Sequence, residues 1–381
     1  MRKKLLITND LAFGGGVEKL MFDLVNAWHD KYDITVMTYK YDEHFYDVYP
    51  SNVKYLSESV PKEYKSNIFI HALSSLNRRL YDATIKHRIE KMGFDVMLCM
   101  KEGGTLWSGL KYNIPIKYAW NHTDYNSHYY TAGIFEKYGG EAAAMQQYKN
   151  IICVSEDIKK GICDVIGNPG NLIVKYNPID IENVIKKSKE TVVDIDSLEL
   201  PKEKQPIRFV SVGRINAQKG YTMLIDACSA LEKEGYDFEV IVVGAFEPWG
   251  EEESRVRQML KLSGTSKIKF IGGRKNPYKY IAIADWFIST SLYEGYSLVS
   301  QEAAVLDIPM LLTDCSGVRE LLGESEFGIV MPINSIGIYK EMKRVLDNTE
   351  LHDYYKKKII ERKEIVKYRE RIELIEELLE E

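Results

Sequence analysis

Residues 207–227 read IRFVSVGRINAQKGYTMLIDA, and their reading decides the fold. The first six residues form a short apolar run, the length of a buried strand. Gly213 ends the run, and a polar loop carries Arg214 and Lys219. From Tyr221 the apolar residues recur at helical spacing. Strand, loop and helix in that order are one half of a βαβ unit, whose strands are buried on both faces and so read as continuous apolar runs. The same unit recurs outward in both directions. Downstream strand candidates are FEVIVVG (238–244), IKFIG (268–272), WFISTS (286–291) and PMLLTD (309–314). Upstream ones are KLLITN (4–9), DITVMTY (33–39), DVMLCM (95–100), IKYAW (116–120), IICVS (151–155) and LIVKYN (172–177). Two such series predict two doubly wound α/β domains.

The bulk numbers agree. A chain of 381 residues exceeds one ordinary core, and its 45% hydrophobic and 28% charged content suits a globular protein. The net charge of −5 argues against nucleic acid as a partner. Five scattered cysteines without CxxC spacing read as reduced core residues, which with the absence of a leader pattern predicts a cytoplasmic protein. No apolar stretch approaches 18 residues, so no membrane span is expected, and the sequon at Asn121 is read as chance. The expected domains are 1–180, a linker or flap at 181–206, 207–360, and a C-terminal helix at 361–381 packing back on the first domain.

Candidate chemistry lies where strands run into helices. Gly14, Gly15 and Gly16 follow the first strand and open a helix, where backbone can approach a phosphate; a plain tight turn is the simpler reading. Arg214 and Lys219 suit a diphosphate, one as a fork and the other as a point charge; as loop cations they would otherwise be solvated. In EGYSLVSQE (294–302), residues 295–299 place backbone N–H groups at a helix start. Glu302 is placed to accept from a ribose and Glu294 to contact a sugar hydroxyl, against the simpler reading of a cap and a surface acid. His122 follows a strand end, where doubly wound folds put ligands, although a lone histidine is more often structural.

Two features weigh less. Asp194-Ile195-Asp196 is a DxD in a charged stretch with no strand delivering it, and no cluster has zinc spacing, so no metal is expected. Residues 66–92 are helical in pattern, and between 78 and 91 five cations stand against two acids. That face suits either an anionic membrane, as a peripheral contact at the inner face of the cell membrane, or plain solvent.

Taken in order, GGVEK (15–19), His122, VSED (154–157), YNPID (176–180), VGRINAQKG (212–220), FIGGRKNPY (270–278) and EGYSLVSQEA (294–303) resemble the retaining GT-B glycosyltransferases of family four, bacterial surface-polysaccharide enzymes among them. The last piece matches that family's E-x7-E motif, and the resemblance covers nearly the whole chain. It implies two Rossmann-like domains facing a central cleft, with the acceptor on the N-terminal domain and the nucleotide sugar on the C-terminal one. By position, Arg214 and Lys219 would hold the diphosphate together with Gly213. Glu302 would hold the ribose. Glu294 and the backbone of Gly295, Tyr296, Ser297, Leu298 and Val299 would face the sugar and phosphate. Gly15 and Gly16 would approach the phosphates, His122 the donor sugar, and the backbone of Gly272, Gly273 and Arg274 the base. No cofactor is implied beyond the donor substrate, for which family frequency favours a UDP-sugar. The acceptor would be a saccharide, lipid-linked in such pathways.

Tyr296-Ser297 and Leu306-Asp307 depart from the family's usual wording, which leaves sugar identity open. Three rival readings remain on the same fold. A sugar-nucleotide epimerase or hydrolase would need extra acids in the cleft. A non-catalytic partner subunit would be expected to lose Arg214, Lys219 or the glutamate pair. A dinucleotide oxidoreductase would carry GxGxxG, which neither half does.

Overall fold

The computed structural model describes residues 2–10, 15–38, 49–57, 83–194, 206–247, 251–366 and 370–380. They form two α/β units, Met1–Asn177 with Ile372–Glu381, and Pro178–Arg371.

The first unit holds a parallel seven-stranded sheet in the order β3-β2-β1-β4-β5-β6-β7. Its strands are β1 (Lys4–Asn9), β2 (Asp33–Thr38), β3 (Lys54–Ser57), β4 (Val96–Cys99), β5 (Ile116–Asn121), β6 (Asn150–Cys153) and β7 (Leu172–Val174). The order reverses between β1 and β4, the position at which doubly wound sheets generally bind ligands. Strand β4 is buried at every residue, as a central parallel strand must be. The helix Arg371–Glu380 closes this unit with Ile375 and Leu379 buried. Tyr118 donates to the Leu378 carbonyl at 2.5 Å, and Lys31 pairs with Glu376 at 2.7 Å.

The second unit holds a parallel six-stranded sheet in the order β10-β9-β8-β11-β12-β13. Its strands are β8 (Ile207–Val212), β9 (Phe238–Val243), β10 (Ile268–Phe270), β11 (Trp286–Ser289), β12 (Met310–Thr313) and β13 (Ile329–Met331). The order reverses between β8 and β11. Phe209, Phe238, Val240, Val242, Trp286 and Ile288 form the centre of its core, joined by Leu224, Ile225 and Cys228 from the helix Tyr221–Lys233.

Three differences from the sequence reading have physical causes. Strands β3 and β13 were not expected, because KYLS is half polar and IVM is too short to stand out. The run LIVKYN leaves the sheet after Val174, since β7 is an edge strand that pairs only with β6. The stretch 181–206, expected as a linker, begins with a helix, Ile181–Ser188. The Asp180 carboxylate caps it by accepting from the Asn183 amide at 3.0 Å, and Val184 is buried beneath.

Of the segment 66–92, only 83–92 lies within the described residues. It is helical, with Ile89 buried and Lys86, His87, Arg88 and Lys91 exposed.

Candidate functional site

In the second unit, the loops at the C-terminal ends of β8, β9, β11 and β12 converge on one set of side chains. The chain continues past β8 with Gly213, whose amide donates to the Val243 carbonyl at 3.0 Å, and Ile215 donates to Ala245 at 2.8 Å. These bonds extend the β8–β9 pairing and present Arg214 beyond the sheet. Arg214 is half exposed, with Nη1 3.3 Å from Glu247 Oε1. Any residue larger than glycine at 213 would push the Lys219 side chain aside. A Cβ there would stand 2.9 Å from Lys219 Cε, so the lysine stem crosses directly over the glycine.

Lys219 ends a single 3₁₀ turn, Ala217–Lys219, and Gly220 follows in the left-handed region at φ 60°. A Cβ at 220 would meet the Thr290 carbonyl at 2.3 Å, so only glycine allows this approach to the loop after β11. Lys219 is not the solvated loop cation of the simpler reading. Instead it is largely buried, with Nζ 2.5 Å from Glu294 Oε1, and the two side chains are 16% and 12% exposed. Burial pushes the Lys219 pKa down. The adjacent carboxylate more than offsets this and holds it above the ordinary lysine value.

Glu294 is not the cap of the following helix, Leu298–Val305. Ser297 is, its hydroxyl accepting from the Ser300 amide at 3.3 Å. The first-turn amides of Leu298 and Val299 have no carbonyl within the helix to bond. The Tyr296 side chain turns inward, buried, with the Arg371 guanidinium 5.7 Å from its ring centroid, so only its backbone belongs to the site. Glu302 is no surface acid. It is 3% exposed and accepts from Tyr278 Oη at 3.1 Å.

The expected base-reading turn lies after β10. Gly272 stands at φ 78°, and its carbonyl accepts from the Gly244 amide at 3.0 Å. A Cβ at Gly273 would stand 3.3 Å from the Ala245 Cβ, tighter than ordinary contact. The Arg274 side chain turns away to Asp194, Nε to Oδ2 at 2.8 Å, and Tyr280 donates to the same carboxylate at 2.7 Å. Asp194, half of the DxD, is thus engaged as an ion-pair partner. Asp196 lies outside the described residues. Among the described residues no group of three or more histidine, cysteine, aspartate or glutamate side chains is arranged to hold a metal.

In the first unit, the expectation at Gly15 changes. Gly15 precedes the helix Gly16–Trp28, but its amide donates to Glu18 Oε2 at 2.7 Å. The Gly15 amide, expected to face a phosphate, is thus already taken by the Glu18 carboxylate. Gly14 lies outside the described residues. His122 follows β5 directly, with Nε2 3.0 Å from the Met100 carbonyl. Burial holds its pKa below the usual imidazole value. A carbonyl can only accept, so the neutral ring carries its proton on Nε2 and presents Nδ1 as an acceptor.

Two family models match, "Glycosyltransferase Family 4" over residues 14–183 and "Glycosyl transferases group 1" over residues 193–362, together most of the chain. The chain belongs to the GT-B glycosyltransferases. A Campylobacter jejuni N-acetylgalactosaminyltransferase, acting by its name on an N-acetylgalactosamine-N,N'-diacetylbacillosaminyl-diphospho-undecaprenol, is 29% identical over 50% of this chain and 48% of its own length. An uncharacterised glycosyltransferase of Haemophilus influenzae is 23% identical over 92% of both chains. Among solved structures, the Anabaena protein HepE in complex with UDP-glucose aligns at TM-score 0.77 with 17% identity, over 98% of both chains. Sucrose-phosphate synthase from Thermosynechococcus elongatus aligns at 0.79 with 15% identity, over 100% of this chain and 98% of that one. These likenesses show the two-domain fold.

This glycosyltransferase also gathers residues that the sequence reading passed over. Glu102 follows β4 and is fully buried, accepting from the His122 amide at 2.9 Å, Thr123 Oγ1 at 2.6 Å and Tyr130 Oη at 2.8 Å. Burial alone would raise its pKa; the neighbouring groups, His122 first, lower it overall. Asp10 follows β1, and its carboxyl is pushed up by burial, with Lys101 4.0 Å away. Both acids stand at the C-terminal ends of the two strands that flank the first unit's reversal point. That position was the signal that could have found them. Thr290 and Ser291 lay inside a predicted strand and offered no motif of their own.

Proposed function

We propose that the protein is a metal-independent retaining glycosyltransferase. It moves a hexose or N-acetylhexosamine from a nucleoside-diphosphate sugar, UDP-linked, to a saccharide acceptor, lipid-linked, in surface-polysaccharide or glycoconjugate assembly. The observation that carries this reading is the Lys219–Glu294 pair at the β8–β11 reversal, with Arg214 beside it and the start of the helix Leu298–Val305 next in the chain. When a glycosyl bond to a diphosphate breaks, negative charge grows on the leaving phosphate. Arg214, Lys219 and the first-turn amides supply positive charge and donors for it without a metal ion. Glu294 faces the sugar, Glu302 the ribose and the turn at Gly272–Arg274 the base. His122 offers Nδ1 to a donor-sugar hydroxyl. HepE, solved with UDP-glucose, supports the choice of UDP, and the Campylobacter enzyme, with its diphospho-undecaprenol acceptor, supports a lipid-linked saccharide. No helix among the described residues is long and apolar enough to cross a membrane. A lipid-linked acceptor would be met at the membrane surface, with the exposed Lys86, Arg88 and Lys91 of the helix at 83–92 as the candidate contact.

The test is a thermal-shift screen over UDP, GDP, dTDP and ADP with their sugars, followed by transfer assays in EDTA. A ligand that binds only the folded state raises the melting temperature. Stabilisation by UDP and transfer surviving chelation are the expected results. Stabilisation by none of the four, or an absolute metal requirement, would overturn the reading.

A further inference from the structure

The Lys219–Glu294 pair is held by a neighbouring dipeptide. Thr290 and Ser291 follow β11 and are 1% and 0% exposed. Thr290 Oγ1 donates to the Lys219 carbonyl at 2.9 Å. Ser291 Oγ donates to Glu294 Oε1 at 2.7 Å, on the same oxygen that receives Lys219 Nζ at 2.5 Å. A hydroxyl has one proton to give, so the 3.1 Å contact between Ser289 Oγ and Ser291 Oγ is donated by Ser289. The order is Ser289 to Ser291 to Glu294. Thr313 Oγ1, at the end of β12, donates to the Ser291 carbonyl at 2.6 Å and fixes its main chain. Two more bonds join the same loops, Leu292 N to Gln218 O at 2.7 Å and Gln218 Nε2 to Tyr293 O at 2.9 Å. In extended chain, alternate residues point to opposite sides. The hydroxyls of 289 and 291 therefore serve the carboxylate while that of 290 serves the lysine main chain.

We propose that Thr290 and Ser291 are positioning residues for donor binding: Thr290 fixes the main chain under Lys219, Ser291 fixes the Glu294 carboxylate, and together they aim the Lys219 ammonium at the donor's diphosphate. Neither hydroxyl touches the donor. Both act through the ion pair. The proposal rests on the diphosphate reading of Lys219, so its test has one arm independent of any nucleotide.

Three variants are compared with wild type: Ser291→Ala, Thr290→Val, which keeps the shape and removes the hydroxyl, and Thr290→Ser, which keeps the hydroxyl. In the first arm the Lys219 ammonium is titrated by NMR in lysine-labelled protein, assigned with Lys219→Arg. Its pKa should fall towards the ordinary value in Ser291→Ala and Thr290→Val and return in Thr290→Ser. In the second arm, UDP and UMP affinities are measured by calorimetry. UDP affinity should fall about tenfold in the two deletions, the size of one hydrogen bond to a charged group, while UMP affinity changes less than twofold. Thr290→Ser should bind UDP as wild type does. A Lys219 titration unmoved in both deletions overturns the proposal, and so does an equal loss for UDP and UMP, which would mark a merely structural role. If the titration moves but wild type does not bind UDP, the positioning stands and the nucleotide reading falls.

Discussion

The two units share one strand order around their reversal points, yet the chemistry at those points differs. At β8–β11 a lysine and an arginine face acids, with a helix start alongside. At β1–β4 Glu102 gathers the His122 amide and the hydroxyls of Thr123 and Tyr130, and Asp10 stands 4.0 Å from Lys101. The first arrangement suits an anion whose charge grows. In the second, the Glu102 carboxylate is taken up by the protein's own amide and hydroxyl donors. The same topology therefore supplies positions, and the residues at the strand ends set the chemistry found there.

The comparison breaks first at Lys219. Lys219→Ala should lower transfer by about a hundredfold or more, as removal of a charge-stabilising donor does elsewhere. It should also cost about 3 kcal/mol of stability, because Glu294 is left nearly buried and unpaired. Adding Glu294→Gln should restore the melting temperature and leave transfer impaired. Recovery of both in the double variant would remove the pair from the reaction.

Glu102→Gln tests the other side. One of its three donors should then meet an amide NH2 instead of a carboxylate oxygen, at a cost of about 2 kcal/mol. Chemical denaturation should show that loss while UDP affinity stays at the wild-type value. A drop in UDP affinity like that of Lys219→Ala would erase the division of labour between the two strand-end sites.

Tyr278→Phe sharpens the second unit's side. Losing the bond to Glu302 should cost about 1 kcal/mol of UDP binding, and less with 2′-deoxy-UDP, which has one ribose hydroxyl fewer. Equal losses for both nucleotides in calorimetry would place Glu302 elsewhere than on the ribose.

The smallest effect concerns pH. His122 has a folded pKa below the unfolded value of about 6.5. Between those values the unfolded chain binds more protons, so stability rises with pH. The contribution is present above about pH 6.5 and lost as pH falls through the window beneath it. Melting temperatures of wild type and His122→Asn should diverge on acidification and run parallel above neutrality. A constant difference from pH 5 to 7.5 would mean that burial does not shift this imidazole.

Much of this was legible in the sequence, for stated reasons. Parallel strands buried on both faces leave apolar runs, so eleven of them stood out. Strands β3 and β13 did not, being a half-polar edge and a three-residue run. The glycines and charges of VGRINAQKG and EGYSLVSQE were visible because helix starts and close approaches demand particular residues. That Lys219 and Glu294 touch was not visible. They are 75 residues apart, and only the neighbouring placement of β8 and β11 brings them together. Glu18 was read within a glycine turn, yet its side chain takes the Gly15 amide, a reciprocal contact three residues long that the glycines obscured.

The helix Arg371–Glu380 has a consequence for how the protein is made. From Ile372 onward it belongs to the first unit, although every residue of the second unit is synthesised before it. Domains ordinarily fold in the order in which they leave the ribosome. Here the earlier-made domain must wait, its surface around Lys3, Tyr32 and Tyr118 uncovered, until the later one has been translated. Expressing residues 1–177 alone would reproduce that unfinished state, and the missing helix would have to be supplied as a fused or separate peptide.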